Sequence, residues 1–218
     1  MKKLVIVILS VLLVFSLCGC SLLYEYTNSA IDSFDVGYSK RLNKAFFANY
    51  NWDGTADGMN IILPEEYNKT KITRLGGYTG RGYPAGFAID FTDVAKEELC
   101  SNATQWSYTN HTANIEAADI QFLSFQLHIS KNIKEIENLS MGGIVLAKYE
   151  ENGETIYNVY ILTCYVTCDE NNKTFYAKDG KLYFKQTDKL VDGIIYEDFN
   201  IEDHNKGYKD QPRCQSVF

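Results

Sequence analysis

Two dipeptides, Asn152-Gly153 and Asp179-Gly180, constrain the fold of this chain more than any other local feature. Each lies between two runs rich in β-branched and aromatic residues. Asn or Asp followed by Gly supplies the positive φ angles that a two-residue hairpin turn requires. The sequence therefore predicts two antiparallel hairpins, with strands over residues 142–150, 155–168, 174–178 and 181–185.

Alternation of apolar and polar residues predicts a further half-buried strand over residues 120–130. Its apolar positions are Leu123, Phe125, Leu127 and Ile129. Shorter apolar runs predict four more strands, at 59–63, 70–75, 87–93 and 192–201, and Pro64 ends the first of them before a turn. Residues 107–119 are polar and show no period, so no element is predicted there.

Two segments carry helical signals. Leu42, Ala45 and Phe46 have helical spacing and predict a helix within residues 37–50. Residues 93–103 predict a short helix that begins with Asp93 as its N-cap. We therefore expect a mainly β fold, α+β with one or two short helices, that forms a compact single domain of antiparallel hairpins over residues 37–218.

The N-terminus predicts export. Lys2 and Lys3 precede an apolar run, Leu4 to Leu17, that is shorter than the roughly 20 residues of a spanning helix. This pattern is typical of a secretory signal peptide. An ordinary signal peptide with chance cysteines and an uncleaved anchor are the alternatives.

The residues Leu17-Cys18-Gly19-Cys20 resemble the bacterial lipobox. The resemblance implies that Cys20 carries a diacylglycerol and becomes the first residue of the mature protein, because a small residue, Gly19, precedes it. Residues 1–19 would then be the signal peptide and 20–36 a leader from the lipid. The expected location is the extracytoplasmic face of the cell membrane, with the protein held by its acyl chains.

Charge and composition limit the partners. The formal net charge is −7 at pH 7, which repels polyphosphates and makes nucleic acid an unsuitable partner. The chain also contains 16 Tyr and 12 Phe, and exposed aromatic side chains suit protein or glycan partners. No cofactor motif and no metal site are predicted.

Four cysteines follow the lipobox: Cys100, Cys164, Cys168 and Cys214. Outside the cytoplasm they could form two disulfides or stay free as buried thiols. Four residues along a strand span roughly 13 Å, more than the about 7 Å that a disulfide allows between Cα atoms, so Cys164 should not pair with Cys168. Which cysteine pairs with which stays open.

Residues 168–185 resemble a BspA-type leucine-rich repeat. The matching positions are Asp169, Asn171, Asn172, Phe175, Asp179, Gly180, Leu182 and Tyr183. Lys173, Ala177 and Lys181 depart from the family pattern. The segments 61–77 and 127–140 resemble the other half of the repeat, but the spacing is uneven, so a regular solenoid is not expected. The resemblance implies a surface-attached bacterial protein that takes part in adhesion and host contact.

The sequence contains no nucleophile motif and no metalloprotease motif. The three histidines lie far apart in the sequence. Adjacent acids at 65–66, 97–98 and 150–151 are expected to be solvated. The best candidate for a ligand loop is 76–84, where Arg81 lies between glycines, with Tyr78 and Tyr83 nearby. The alternative is that these glycines only let the chain turn, with no ligand bound.

Three functions fit these observations. The first is a surface lipoprotein that acts as a non-catalytic binding or interaction module. The second is a secreted glycan or peptide hydrolase with dispersed carboxylates. An accessory role in a larger envelope complex is a third.

Overall fold

A computed structural model describes residues 26–78, 84–112, 115 and 117–206. The strands in chain order are β1 (Thr27–Ile31), β2 (Phe34–Ser39), β3 (Lys44–Trp52), β4 (Asn60–Ile62), β5 (Glu66–Tyr67), β6 (Thr70–Leu75), β7 (Gly77–Tyr78), β8 (Pro84–Ala85), β9 (Phe87–Phe91), β10 (Gln105–Thr109), β11 (Ala117–Ile129), β12 (Glu135–Ile136), β13 (Leu139–Ser140), β14 (Gly143–Glu151), β15 (Glu154–Cys168), β16 (Phe175–Lys178) and β17 (Lys181–Phe184). The helices are α1 (Asp93–Cys100) and α2 (Ile201–Lys206), and a 3₁₀ turn spans Asp57–Met59.

Two main sheets and two small hairpins make up the fold. The five-stranded sheet has the order β10-β14-β15-β11-β4. The eight-stranded sheet has the order β1-β2-β3-β6-β12, with β5 paired to β6, and β9 paired to both β3 and β13. The remaining pairs are β16-β17 and β7-β8. The mainly β fold class and its single compact domain are therefore confirmed, and the described strands form neither a solenoid nor a barrel.

The core lies between the two main sheets. Trp52 of β3 packs edge-on against Phe125 of β11, with ring centroids 5.3 Å apart. The opposite face of the five-stranded sheet carries a second, smaller apolar layer formed by Ile144, Leu146, Val159 and Ile161. Phe199, two residues before α2, and Ile201, the first residue of α2, pack on this layer. Successive strand residues point to opposite faces, so β14 and β15 supply both layers.

Both predicted hairpin turns are confirmed. Asn152 and Gly153 have φ angles of 53° and 82°, and Asp179 and Gly180 have φ angles of 52° and 73°. Two successive positive φ angles define the turn type that Asn-Gly and Asp-Gly favour. The second turn places Ala177 opposite Leu182, as the sequence predicts.

Of the other strand predictions, four are confirmed and one is wrong. Those at 59–63, 70–75, 87–93 and 120–130 correspond to β4, β6, β9 and β11. The strand predicted at 192–201 is wrong: Ile194 and Tyr196 form only isolated bridges to Met141 and Cys164. Residues 107–119, left without an element, contain most of β10 and the start of β11.

One helix prediction holds and the other fails. Helix α1 forms where predicted, but Thr92 caps it, accepting a hydrogen bond from the Ala95 N–H, in place of Asp93. The helix predicted within 37–50 is wrong, because β2 and β3 occupy this stretch and turn at Asn43, whose φ is 48°. Strands β1 and β2 also extend into residues 20–36, so the sheet begins before residue 37.

Burial explains that failure. Three consecutive residues of β3, Ala45, Phe46 and Phe47, are buried, so both faces of the strand are covered. The Phe46 ring occupies the space over Gly37 that a side chain there would fill, and Gly77 adjoins the same ring. Tertiary packing on both faces thus outweighs a local spacing that also fits a helix.

Parallel ladders join segments far apart in the chain. The longest runs along β11 and β15, from Ala117↔Tyr157 to Ile129↔Cys168. Strand β11 also pairs in parallel with β4, and β3 pairs in parallel with β6 and β9. The hairpins are therefore embedded in mixed sheets.

One buried side chain fastens the second hairpin to the rest of the fold. Asn172 is fully buried, and its Nδ2 donates to the carbonyls of Ser130 at 2.8 Å and Ile133 at 2.9 Å. Its Oδ1 accepts from the N–H groups of Thr174 and Phe175, both at 2.8 Å. One amide thus satisfies four backbone groups that would otherwise be costly to bury.

Candidate functional site

A cleft of about 350 Å³ opens where the two main sheets meet beside α1. We call it the Tyr108 cleft. Its lining residues are Asn51, Asp90, Phe91, Lys96, Trp106, Ser107, Tyr108 and Val145. They come from β3, β9, α1, β10 and β14, so the cleft exists only in the assembled fold.

Tyr108 is the most exposed aromatic residue in the cleft. The residue is 58% exposed, yet its hydroxyl is held by the carbonyl oxygen of Ile89 at 2.8 Å and by Asp90 Oδ1 at 3.3 Å. Burial of the hydroxyl and the neighbouring Asp90 carboxylate raise the pKa of Tyr108. The phenol therefore stays protonated and keeps donating, which fixes the direction of the exposed ring.

Asp90 has both carboxylate oxygens engaged. Oδ1 accepts from the Tyr108 hydroxyl, and Oδ2 accepts from Asn49 Nδ2. A carboxylate oxygen has two lone-pair sites, so each retains room for one further donor from a ligand. The group is suited to accepting hydrogen bonds and is poorly placed to act as a nucleophile.

Aromatic packing makes the inner wall of the cleft rigid. Trp106 stacks on Tyr160 with centroids 5.6 Å apart and meets Phe91 edge-on at 5.9 Å. Trp106 and Tyr108 share one face of β10, opposite Ala147 and Val145 of β14. Alternation along the strand therefore places two aromatic rings side by side at the cleft.

Polar groups complete the rim. Asn51 Nδ2 donates to Asp35 Oδ1 at 3.3 Å, so the side-chain amide has a partner on β2. Lys96 on α1 forms an ion pair with Asp93 across one helical turn at 3.6 Å, and the lysine side chain is 35% exposed. The cleft thus offers a ring surface flanked by a carboxylate, amides and one ammonium group.

None of the residues singled out in the sequence is among the described residues that line the Tyr108 cleft. Arg81 and Tyr83 of the glycine loop, the side chain of Tyr78, and Cys20 all fall outside the described part of the chain. His128 is exposed on β11, as its strand pattern predicts, and its Nδ1 lies 3.0 Å from Thr167 Oγ1. All six residues of the adjacent acid pairs are exposed, as predicted.

The cysteines within the described chain are free thiols. Cys100 and Cys164 are buried and Cys168 is half-buried, so no disulfide joins any two of the three. Desolvation raises the pKa of Cys164 to about 12 and that of Cys168 to about 11. These thiols are therefore protonated and unreactive near neutral pH. Cys214 lies outside the described residues.

Within residues 26–78, 84–112, 115 and 117–206, no three histidine, cysteine or acidic side chains group closely enough to hold a metal ion. No helix in this part of the chain has the length and apolar character needed to cross a membrane.

Sequence reasoning did not find the Tyr108 cleft. Asn51, Asp90 and Tyr108 are far apart in the sequence, and Tyr108 falls in a stretch with no hydrophobic period. The one usable local signal was the pair Trp106 and Tyr108, which alternate as two aromatics on one face of a strand.

Comparisons with known proteins give no family. No known protein family and no curated protein match this chain. Among solved structures, the crystal structure of the pneumococcal vaccine antigen PcpA aligns with a TM-score of 0.17 and 10% sequence identity. The alignment covers 74% of this chain and 55% of PcpA, so the chain spans about half the length of that protein. A TM-score this low carries no argument about fold or function.

Proposed function

We propose that this protein is a lipid-anchored, extracytoplasmic binding protein that takes a glycan in the Tyr108 cleft. The observation that carries the proposal is the Tyr108 ring, which is 58% exposed while its hydroxyl is fixed by two acceptors. An immobilised ring gives a stacking surface at little cost in side-chain entropy, which favours binding.

The flanking groups suit a saccharide. Sugar rings present an apolar C–H face that packs on an aromatic ring, and hydroxyls that donate to carboxylates and amides. Asp90 and Asn51 supply such acceptors at one side of the cleft, and Lys96 supplies a donor. The lining combines aromatic and aliphatic surface with a few placed polar groups, and small-ligand sites use such polar groups to fix the orientation of the ligand.

The hydrolase alternative receives less support. Glycoside hydrolysis in most families needs two carboxyl groups about 5–10 Å apart, one of them free to attack or to activate water. Asp90 is the one carboxylate among the described lining residues, and Asn49 and Tyr108 hold both its oxygens. We therefore favour binding over cleavage.

Binding is tested with the full-length protein and a panel of soluble oligosaccharides, by calorimetry and by the shift in melting temperature. Tyr108→Ala should weaken binding at least about tenfold, the order expected for loss of one aromatic anchor. Tyr108→Phe keeps the ring but loses both hydroxyl hydrogen bonds, so it should bind with intermediate affinity.

Phe122→Ala is the matched control, because Phe122 is also aromatic and 55% exposed but lies on β11, away from the cleft. It should bind as the wild type does. A wild-type protein that binds no saccharide of the panel, or a Tyr108→Ala variant that binds normally, would remove the cleft from the functional account.

Anchoring is tested separately by metabolic labelling with a clickable fatty acid. Cys20→Ala should abolish the label and release the protein from membranes or leave it unprocessed, whereas Cys18→Ala should do neither. Label that persists in the Cys20→Ala variant contradicts the lipobox interpretation.

A further inference from the structure

One edge of strand β11 is paired along only part of its length within the described chain. One side of β11 pairs with β15 along its whole length, but the other side pairs only with β4, from Gln126 to His128. The 3₁₀ turn Asp57–Met59 directly precedes β4. No described strand pairs with the stretch Asp119–Leu123 on that side.

The open stretch is exposed on both faces. Asp119, Ile120, Gln121 and Phe122 are all exposed, with Ile120 at 44% and Phe122 at 55%. Natural sheets usually protect such an edge with lysine, proline or a covering loop. Here the only protective features in the described chain are Asp119 and a register irregularity after Ala117, and both lie at one end of the stretch. The two large apolar side chains that follow, Ile120 and Phe122, have no such protection from the described residues.

These apolar side chains extend an existing layer. Ile120 is paired with Val159, and Phe122 with Ile161, and both partners belong to the second apolar layer on the outer face of the sheet. Phe199 and Ile201 pack on that layer, whereas Ile120 and Phe122 remain exposed at its border. A strand added at the open edge would continue the layer.

We propose that this edge joins a second copy of the same chain, β11 against β11 in antiparallel orientation, to form a two-fold symmetric dimer. The stretch is self-complementary in one register. With Gln121 opposite its own copy, Ile120 faces Phe122 of the second chain twice on the apolar face. Symmetric pairing of this kind is the commonest way in which identical chains associate.

Neighbouring registers are poorer. With Ile120 opposite its own copy, Phe122 would face Ala118, and with Phe122 opposite its own copy, Ile120 would face Ser124. In the Gln121-centred register, Asp119 faces Leu123 of the second chain. The two Asp119 carboxylates are then four residues apart, roughly 13 Å along the strand, so like charges do not oppose each other.

The expected dimer is weak in solution. Pairing of about five residues per chain gives an interface below the standard size, and such interfaces are transient. Sedimentation velocity of the full-length protein in detergent should show a monomer–dimer equilibrium with a dissociation constant on the order of micromolar.

Two variants test the surface. Phe122→Lys places a charge in the apolar pair and should abolish the dimer. Ile62→Lys is the matched control: Ile62 is even more exposed, at 67%, but lies on β4, which covers the edge of β11. It should leave the equilibrium unchanged. Comparing the two variants also removes any contribution from the detergent.

Cysteine cross-linking tests the register. Gln121→Cys should give a disulfide-linked dimer under mild oxidation, above the background of the native thiols. Gln126→Cys, also exposed on β11 but opposite Asn60 of β4, should not. A monomeric wild type, a dimer that Phe122→Lys leaves intact, or equal cross-linking at both positions would overturn the proposal. Cross-linking of Gln121→Cys to a different protein in cells would assign the edge to that partner instead.

Discussion

The two hairpins share one sequence signal and differ in what their glycines do. Gly153 and Gly180 have similar positive φ angles, 82° and 73°. A Cβ atom added at Gly153 would meet nothing within 4 Å, whereas at Gly180 it would lie 2.6 Å from the Tyr165 ring. The Gly180 carbonyl also accepts from the Val166 N–H at 2.8 Å. The first turn is free in solvent, and the second is packed on β15.

This difference shows that a turn signal specifies backbone conformation and says nothing of packing. At Gly153 the missing side chain matters only for the φ angle. At Gly180 it matters for the φ angle and for the close approach of backbone to ring. Substitutions at the two positions separate these contributions.

The largest effect is expected from Gly180→Ala. The left-handed conformation costs about 1–2 kcal/mol for alanine, and displacing a packed ring adds about 1–3 kcal/mol. The free energy of unfolding should therefore fall by about 2–4 kcal/mol in denaturant titration. A loss no larger than that of Gly153→Ala would show that Tyr165 moves aside without cost.

The coupling between Gly180 and Tyr165 is the next largest effect. In a Tyr165→Ala background the ring is gone, so Gly180→Ala should cost only the conformational part. A double-mutant cycle should give an interaction energy of about 1–2 kcal/mol. Additive losses would mean that the ring does not set the packing at this turn.

Gly153→Ala should cost about 1 kcal/mol, because only the positive φ is unfavourable there. The same denaturant titration measures it, and Tyr165→Ala should leave this value unchanged. A loss equal to that of Gly180→Ala would contradict an unpacked first turn.

A small pH effect should arise from the second hairpin. The Tyr176 hydroxyl donates to Asp188, and this hydrogen bond raises the pKa of Tyr176 to about 12. The folded protein then holds this proton more tightly than the unfolded chain. The stabilisation is therefore complete below the ordinary pKa, about 10, and is lost as the pH rises through about 12.

Unfolding free energies of the wild type and Tyr176→Phe, compared between about pH 9 and 12, should converge as the pH rises. Asp188→Asn removes the carboxylate and should lose the same dependence. A constant difference between wild type and Tyr176→Phe across this range would argue against the role of the hydrogen bond.

The parts of the fold that the sequence predicted are those controlled by neighbouring residues. Turn dipeptides identified both hairpins, and strict alternation identified β11. The helix predicted within 37–50 failed because Phe46 fits over Gly37 and Gly77, and the second of these contacts is 31 residues away. The parallel ladder of β11 with β15 left no local signal, since its register is set by burial on both faces.

The Tyr108 cleft illustrates the same limit. Its residues come from five elements, and their meeting depends on how the two sheets pack. Sequence reasoning instead favoured the glycine loop at Tyr78, Arg81 and Tyr83, which has local signals and still awaits a test. The Tyr108 ring is the better candidate because two hydrogen bonds fix it while it stays exposed. Those hydrogen bonds exist only in the folded structure, so the sequence alone gives no sign of them.

Asn172 has a consequence for the rates at which the protein folds and unfolds. Its two accepted hydrogen bonds lie within its own turn and form as soon as that turn does. Its two donated bonds reach Ser130 and Ile133, about 40 residues away, and need the end of β11 in place. The two hydrogen bonds within the turn can thus form early, and the two to Ser130 and Ile133 form late. Interactions absent from the transition state mainly slow unfolding. The hydrogen bonds from Asn172 to Ser130 and Ile133 should therefore slow unfolding and leave the folding rate nearly unchanged.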